Sequence, residues 1–362
     1  MTQNFSTWNP HIPSATLHLK IKEYDEGLKV YNYCQISSPK NSIADFYRGL
    51  ILDADGEIIC RPFDRFYNYG ESKIDASLLK DIYAVEKLDG SLIKVYYWNN
   101  SWRIATRGTA FAESNVGDYN FTFETLTLKA LNLSSLSEFN ALMNSSGAHE
   151  KFTYLFELTS PYNRVVTPYS DTTLWFLAKR ANKSGIYCPD HSVARSIGAK
   201  YTKIFLGKTL LQLATEAKSL TKLKEGFVVY DYLSGAPLLK IKSPTYVTAH
   251  LLRGEGLSQK RILDLIIQGE VNEYLTYFPE DRALVETYLV AMNEMLLSAE
   301  KTFKEICHLK SQKEFALEAT KTNYPALLFQ KRKNPHLSIK QCFDEKFSNG
   351  AKHNLILAHY EL

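Results

Sequence analysis

The feature that most limits the fold is a change of hydrophobic rhythm near residue 250. From about residue 28 to residue 250, short β-branched and aromatic runs are separated by Gly, Asp, Asn and Pro, the pattern of strands joined by turns. Runs at 50–52, 82–85, 92–98, 154–158, 173–178, 227–232 and 238–242 are predicted strands. Helical spacing over 123–131 and 206–217 interrupts them, so the class is α+β. Beyond Thr245 the spacing becomes three and four: Leu284, Tyr288, Met292, Met295, Leu296, Ala299, Phe303 and Ile306 mark one amphipathic helix. Another runs from a Ser258 cap to a Gly269 stop, and Pro279, Asn323 and Pro335 break the remainder into short helices. The predicted organisation is a sheet-rich domain over 1–253 and an all-helical domain over 254–362, which suits a chain of 362 residues, too long for most single cores.

Composition excludes more than it selects. With 45% hydrophobic and 23% charged residues the chain is an ordinary folded protein. A net charge of +4 leaves nucleic acid open as a partner, because clustering decides that question. The five cysteines, Cys34, Cys60, Cys188, Cys307 and Cys342, have no framework spacing, so no disulfides are expected. No basic region precedes an apolar run at the N-terminus, and nowhere do about 18 consecutive apolar residues occur. The expectation is a cytoplasmic protein away from membranes, with no obligate protein partner implied.

The sharpest local signal is Glu86-Lys87-Leu88-Asp89-Gly90-Ser91, between two predicted strands, with Asp89-Gly90 making the turn. A presented lysine beside a common turn is weak by itself. Its company is ordered along the chain: Arg48-Gly49 before it, then Glu157 in an apolar run, Glu225-Gly226 opening Phe-Val-Val-Tyr, and Lys240-Ile241-Lys242. A free lysine amine, with a pKa of about 10.4, acts as a nucleophile only if like charges or burial lower that value. Lys240 and Lys242, two apart on a strand, face one side and supply such charges, while Leu239 and Ile241 face the other. Glu157, in Tyr154-Leu155-Phe156-Glu157-Leu158, needs a partner to be buried.

This order resembles the motifs of the covalent nucleotidyltransferases, and within them the phage T4 RNA ligase 1 family. The likeness runs through Tyr31-Asn32-Tyr33, Arg48-Gly49, Arg61-Pro62, Arg65-Phe66-Tyr67-Asn68, Lys87 to Leu92, Glu157 with Pro161, Asn163-Arg164, Glu225-Gly226, Lys240-Ile241-Lys242-Ser243 and Tyr246-Val247. It implies an ATP-grasp-like ligase domain of antiparallel sheets with helices, followed by a helical domain that recognises tRNA. It also implies joining of RNA 5′-phosphate and 3′-hydroxyl ends, with ATP as AMP donor and Mg²⁺, or Mn²⁺ in its place, as cofactor. Lys87 would be the nucleophile, and Lys240 and Lys242 would hold the phosphates. Glu157 would bind ribose hydroxyls or the metal, Glu225 would position the metal, and Glu86 and Gly90 would border the nucleotide. Arg48, Arg65 and Arg107 would touch phosphates or RNA ends, although Arg65 and Arg107 stand where the phage relative has lysines, with different donor geometry. Tyr67 would stack on adenine and Tyr31 would contact ATP, roles that plain core packing would equally explain. A DNA ligase or capping enzyme would instead carry a strand-rich barrel after Lys242. A silent RNA-end-binding protein on the same fold is the rival from another class.

Other features carry less. Gly207-Lys208-Thr209 lacks the earlier glycine of a phosphate loop and reads as a helix start. Cys188-Pro-Asp-His191 offers too few ligands for structural zinc. Lys331, Arg332 and Lys333, with His336 and Lys340 nearby, are candidate phosphate contacts for a folded RNA.

Overall fold

The computed structural model describes residues 17–34, 43–71, 79, 81–254 and 257–360. The chain divides into two compact units, 1–247 and 248–362.

Among its described residues the first unit holds three sheets. One is an antiparallel meander of β1 (Lys20–Glu23), β2 (Lys29–Asn32), β3 (Arg48–Leu52) and β4 (Ile58–Cys60). The remaining strands are β5 (Tyr67–Asn68), β6 (Ile82–Lys87), β7 (Ser91–Trp98), β8 (Ser101–Thr106), β9 (Phe152–Thr159) and β10 (Thr173–Ala181). They continue with β11 (Tyr187–Cys188), β12 (Lys200–Tyr201), β13 (Ile204–Phe205), β14 (Gly226–Asp231) and β15 (Pro237–Lys242). The second sheet runs β11-β10-β9-β7-β8 with β12 beside β10, and the third runs β13-β6-β14-β15-β5. Pairing is antiparallel except for the short parallel pairs β10·β12 and β15·β5.

Each of the last two sheets has one face covered by helices. Against the second lie α1 (Phe123–Ala130), capped by the Thr122 hydroxyl, and α2 (Leu136–Ser145), capped by Ser135. Their Leu126, Phe139 and Met143 join Phe156, Leu158 and Phe176 in one core. Chain order then brings α3 (Ser192–Ser196) and α4 (Leu210–Lys218). The Thr209 capping box with Gln212 starts α4 four residues after the sequence pattern suggested, because Leu206 lies in an exposed stretch after β13. Leu210 and Leu213 of α4 pack on Phe227, Leu239 and Ile241 of the third sheet. The uncovered faces of these two sheets border a cleft.

The motif between β6 and β7 is not a hairpin. The two strands belong to different sheets, so residues 88–90 carry the chain from one sheet to the other. Buried Asp89 clamps this crossing: Oδ2 accepts the Val166 and Thr167 amides at 2.7 Å each, and Oδ1 accepts the Tyr246 hydroxyl at 2.7 Å. Gly90 is required sterically, since a Cβ there would stand 2.3 Å from the Leu158 carbonyl oxygen.

Helices follow to the end of the described chain: α5 (Pro244–Arg253), α6 (Gln259–Gln268), α7 (Val271–Tyr277), α8 (Arg282–Ile306), α9 (Gln312–Ala319), α10 (Pro325–Lys333), α11 (Ile339–Lys346) and α12 (Asn349–Tyr360). Helix α6 starts at the Ser258 cap, whose hydroxyl accepts the Arg261 amide, and ends at Gly269 in the left-handed region, φ 75°. On α8 the buried stripe contains Val285 in place of the expected Leu284, which is exposed. Among the described residues no helix is long and apolar enough to cross a membrane.

Candidate active site

Strand register assembles the site. Gly226, at the start of β14, lies opposite Lys87 at the end of β6 and opposite Lys242 at the end of β15. The preceding Glu225, 3% exposed, therefore sits between both lysines: Lys87 Nζ reaches Oε2 at 2.7 Å and Lys242 Nζ reaches Oε1 at 3.0 Å. Only glycine fits at 226, where φ is +141° and a Cβ would lie 1.9 Å from the Ile241 carbonyl oxygen. Period-2 alternation along β15 works as the sequence indicated: Leu239 and Ile241 enter the core, and Lys240 and Lys242 line a cavity of about 340 Å³.

That cavity also takes Lys87, Glu86, Gly90, Arg48, Arg107, Glu157 and Glu225. Glu157 arrives from β9 on the face opposite its core neighbours Phe156 and Leu158. Its carboxylate has no hydrogen-bond partner among the described residues. Burial pushes it up to about 7, against the pull of Lys87 and with the help of Glu225 and Asp89. Buried Arg48 Nη1 likewise lacks a hydrogen-bond partner among the described residues. Glu86 pairs at the rim with Lys224 at 2.8 Å.

The lysines differ in charge state from the expectation. Burial works to lower Lys87, yet Glu225 and Glu157 outweigh it, and the amine is held above its ordinary value. Burial acts to raise Glu225, but Lys87 and Lys242 bring its carboxyl below the usual range. The depressed lysine is Lys240, lowered to about 8 by burial and by Lys242, Lys87 and Arg48.

Three expected residues stand elsewhere. Tyr31 packs against Tyr47 at 5.7 Å in the small core with Leu50 and Leu52. Tyr67 donates its hydroxyl to Asp45 (2.8 and 2.9 Å), and the Arg65 guanidinium lies 4.7 Å over its ring. Arg65 and Arg107 both lie over the Tyr33 ring, at 4.8 and 5.5 Å. In place of these aromatics, the apolar wall of the cavity includes Phe63, Phe66, Val85, Leu92, Leu177 and Val228.

Lys94 was missed by sequence reasoning. Fully buried on β7, it donates to the Gly49 carbonyl at 2.7 Å, directly behind Arg48, and burial lowers it to about 8. A lysine inside the apolar run Leu92-Ile93-Lys94-Val95-Tyr96 was the available signal. In the helical unit the basic run is largely occupied. Lys331 donates to the Pro335 and Leu337 carbonyls, Arg332 donates to the Lys310 carbonyl and stacks on Phe315, and Lys340 pairs with Asp344.

Lys87, Lys240, Lys242 and Arg48 thus share one cavity with Glu157 and Glu225, and comparison with known proteins places the chain in a family. A profile described as RNA ligase matches residues 47–246, more than half of the chain, and the protein belongs to the RNA ligase family. A putative bifunctional polynucleotide kinase/RNA ligase of Autographa californica nuclear polyhedrosis virus is 36% identical over 293 residues, 76% of this chain and 41% of that protein. The RNA ligase of Rhodothermus phage RM378 is 23% identical over 327 residues, 74% of each chain. The chain thus spans about two fifths of the baculovirus relative. An archaeal ATP-dependent RNA ligase structure aligns with 67% of this chain and 64% of its own, at 18% identity and a TM-score of 0.46.

Proposed function

We propose that the chain is an ATP-dependent RNA ligase working through a lysyl-AMP on Lys87. The observation that carries this reading is the composition of one cavity. Lys87 Nζ shares it with Arg48, whose buried Nη1 has no hydrogen-bond partner among the described residues, with the depressed Lys240, and with Glu157, whose carboxylate likewise has none among them. Such a cavity binds a triphosphate at its cationic side and a ribose or a cation at Glu157.

Lys87 Nζ attacks the α-phosphorus of ATP, forming the N–P bond as the bond to pyrophosphate breaks. The ammonium must first lose a proton, and Glu225 Oε2 at 2.7 Å is its nearest acceptor. Once that proton has passed on to solvent, Glu225 stays ionised against Lys242, so a neutral Lys87 leaves no buried charge uncovered. The RNA 5′-phosphate then takes AMP from the lysine, and an RNA 3′-hydroxyl displaces AMP to seal the strand. Glu157 and Glu225 would hold Mg²⁺, or Mn²⁺ in its place, which neutralises developing phosphate charge when bound. Among the described residues no three His, Cys, Asp or Glu converge into a closed metal site.

The helical course after Lys242 favours RNA joining over the DNA ligase and capping readings, which call for a strand-rich barrel there. Incubation with α-labelled ATP and Mg²⁺ tests the proposal: wild-type protein retains label and Lys87→Ala does not. An unlabelled wild type would favour the silent end-binding alternative. We extend the reading to tRNA nicked in the anticodon loop, with the helical unit as the recognition element. The carbonyl and carboxylate contacts of Lys331, Arg332 and Lys340 move the burden of phosphate binding there toward Lys333 and His336. Sealing of a nicked anticodon stem-loop no faster than a linear RNA would remove the tRNA assignment.

A further inference from the structure

One fully buried cation takes no part in the chemistry above. Lys94 stands on β7 on the face opposite Ile93 and Val95, the face it shares with Tyr96 and, across the strand pair, with Ala105. Those two neighbours pack with Ile51 and Cys60 in an apolar core. Packing alone would place a methionine or leucine at 94, since a buried amine is costly unless a partner offsets the loss of water. Among the described residues its hydrogen bond goes to the Gly49 carbonyl, at 2.7 Å.

Gly49 is where β3 leaves the ladder. Tyr31 of β2 faces Leu50 and Asn32 faces Arg48, so Gly49 bulges out between them, and pairing with β4 reaches no further than Ile51. The glycine has φ +87°, and a Cβ on it would stand 2.5 Å from the Arg107 carbonyl oxygen. The bulge therefore packs against the Arg107 backbone and is gripped at its own carbonyl by Lys94. Bulges re-aim the side chains beside them, and the side chain here is Arg48. Arg48 lines the cavity with Lys87, whereas Lys94 does not reach it. Burial above all, and then Arg107 and Arg48, hold the Lys94 amine at about 8, so the three cations stand close together.

We propose that Lys94 is a positioning residue for ATP binding: by holding the Gly49 bulge it fixes the direction in which the Arg48 guanidinium meets the nucleotide phosphates. The inference rests on the ligase reading and gives a share of the affinity for ATP to a residue outside the cavity. A lysine with a purely structural role would affect melting and leave ATP affinity alone.

The experiment compares wild type with Lys94→Met, which keeps the apolar volume and removes the amine, with circular dichroism as the check on folding. Self-adenylation is followed over a range of ATP concentrations, and binding of α,β-methylene-ATP, whose α–β bridge does not cleave, is measured by calorimetry. Lys94→Met should raise both the half-saturating ATP concentration and the dissociation constant of the analogue roughly 10-fold, the scale of one hydrogen bond to a charged group. The maximal rate of labelling should change by less than about 3-fold, as expected when ground state and transition state lose the same contact. In an Arg48→Ala background the substitution should add nothing to the dissociation constant, because residues acting as one unit are not additive. A loss that persists in full without Arg48 is direct charge attraction and overturns the positioning role. Unchanged ATP dependence in Lys94→Met, with wild type labelled, overturns it too and leaves the ligase reading standing. Lys94→Leu repeats the comparison with a second apolar side chain, and failure of both variants to fold assigns Lys94 to stability and overturns the proposal. Wild-type protein that takes no label overturns the ligase reading and the proposal together.

Discussion

Glu225→Gln is the most informative single change, because one buried carboxylate answers to two lysines. At 2.7 Å and an effective dielectric near 20, a unit pair is worth about 6 kcal/mol before desolvation. Removing one partner of a buried pair costs about 3–5 kcal/mol because the other charge is left uncovered. Lys87 and Lys242 retain 22% and 24% side-chain exposure and can turn to water, which places the loss at the lower end, about 3 kcal/mol. In a domain of this size that is a Tm decrease of about 6–12 °C. The sign against pH follows from both partners. Glu225 lies below its unfolded value, so its contribution is lost as pH falls through the folded value; Lys87 lies above its own, so that contribution is lost as pH rises through the folded value. The gap between wild type and variant is therefore widest near neutrality. The variant should also lower Lys87, since burial then acts against Glu157 and Asp89 without the larger pull of Glu225. Thermal melting and the pH dependence of Lys87 acetylation, followed by mass spectrometry of its peptide, measure the two effects. Glu86→Gln, which loses only a rim pair with Lys224, is the control and should cost under about 1 kcal/mol. Equal melting, or an equal midpoint of Lys87 acetylation in wild type and Glu225→Gln, would refute the reasoning.

Lys87→Ala and Lys87→Arg should both lack the AMP adduct, because an arginine stays protonated at any working pH; alkali-stable, acid-labile label on either variant in a denaturing gel contradicts the assignment. Glu157→Gln should raise Tm above about pH 7 and leave it unchanged below about pH 4.5, because a carboxyl raised to about 7 penalises folding only once it ionises in the unfolded chain. A melting series from pH 4 to 8 reads this directly, and the same variant should lose self-adenylation. Gly226→Ala should cost at least about 3 kcal/mol in denaturant unfolding, as its Cβ meets the Ile241 carbonyl in addition to the backbone strain. Gly147→Ala, also at positive φ but with open space around it, should cost only about 1 kcal/mol.

The parts of this molecule that were legible in the sequence are those governed by local periods. Alternation on β15 put Lys240 and Lys242 on one face, and three-and-four spacing located the long helix although its stripe is shifted to Val285. Caps worked where hydroxyl and glycine stood in order, as at Ser258 and Gly269. What stayed hidden depends on pairing between distant segments. Nothing between residues 86 and 91 says that β6 and β7 join different sheets, so a hairpin was the natural expectation. Arg65, Tyr67 and Tyr31 match a family pattern, but Asp45, Tyr33 and Tyr47 claim their side chains. The charge on Lys87 is the clearest case. The motif identifies the lysine, and Lys240 and Lys242 were expected to lower its pKa. Register instead places Gly226 opposite both Lys87 and Lys242, so Glu225 is delivered between two ammonium groups and holds Lys87 above its ordinary value. Since that carboxylate comes from a position 138 residues away, the resting charge of Lys87 is a property of sheet register and cannot be read from the lysine's own neighbours. It follows that shifting β14 by one residue would change the protonation of Lys87 while leaving every residue of its motif in place.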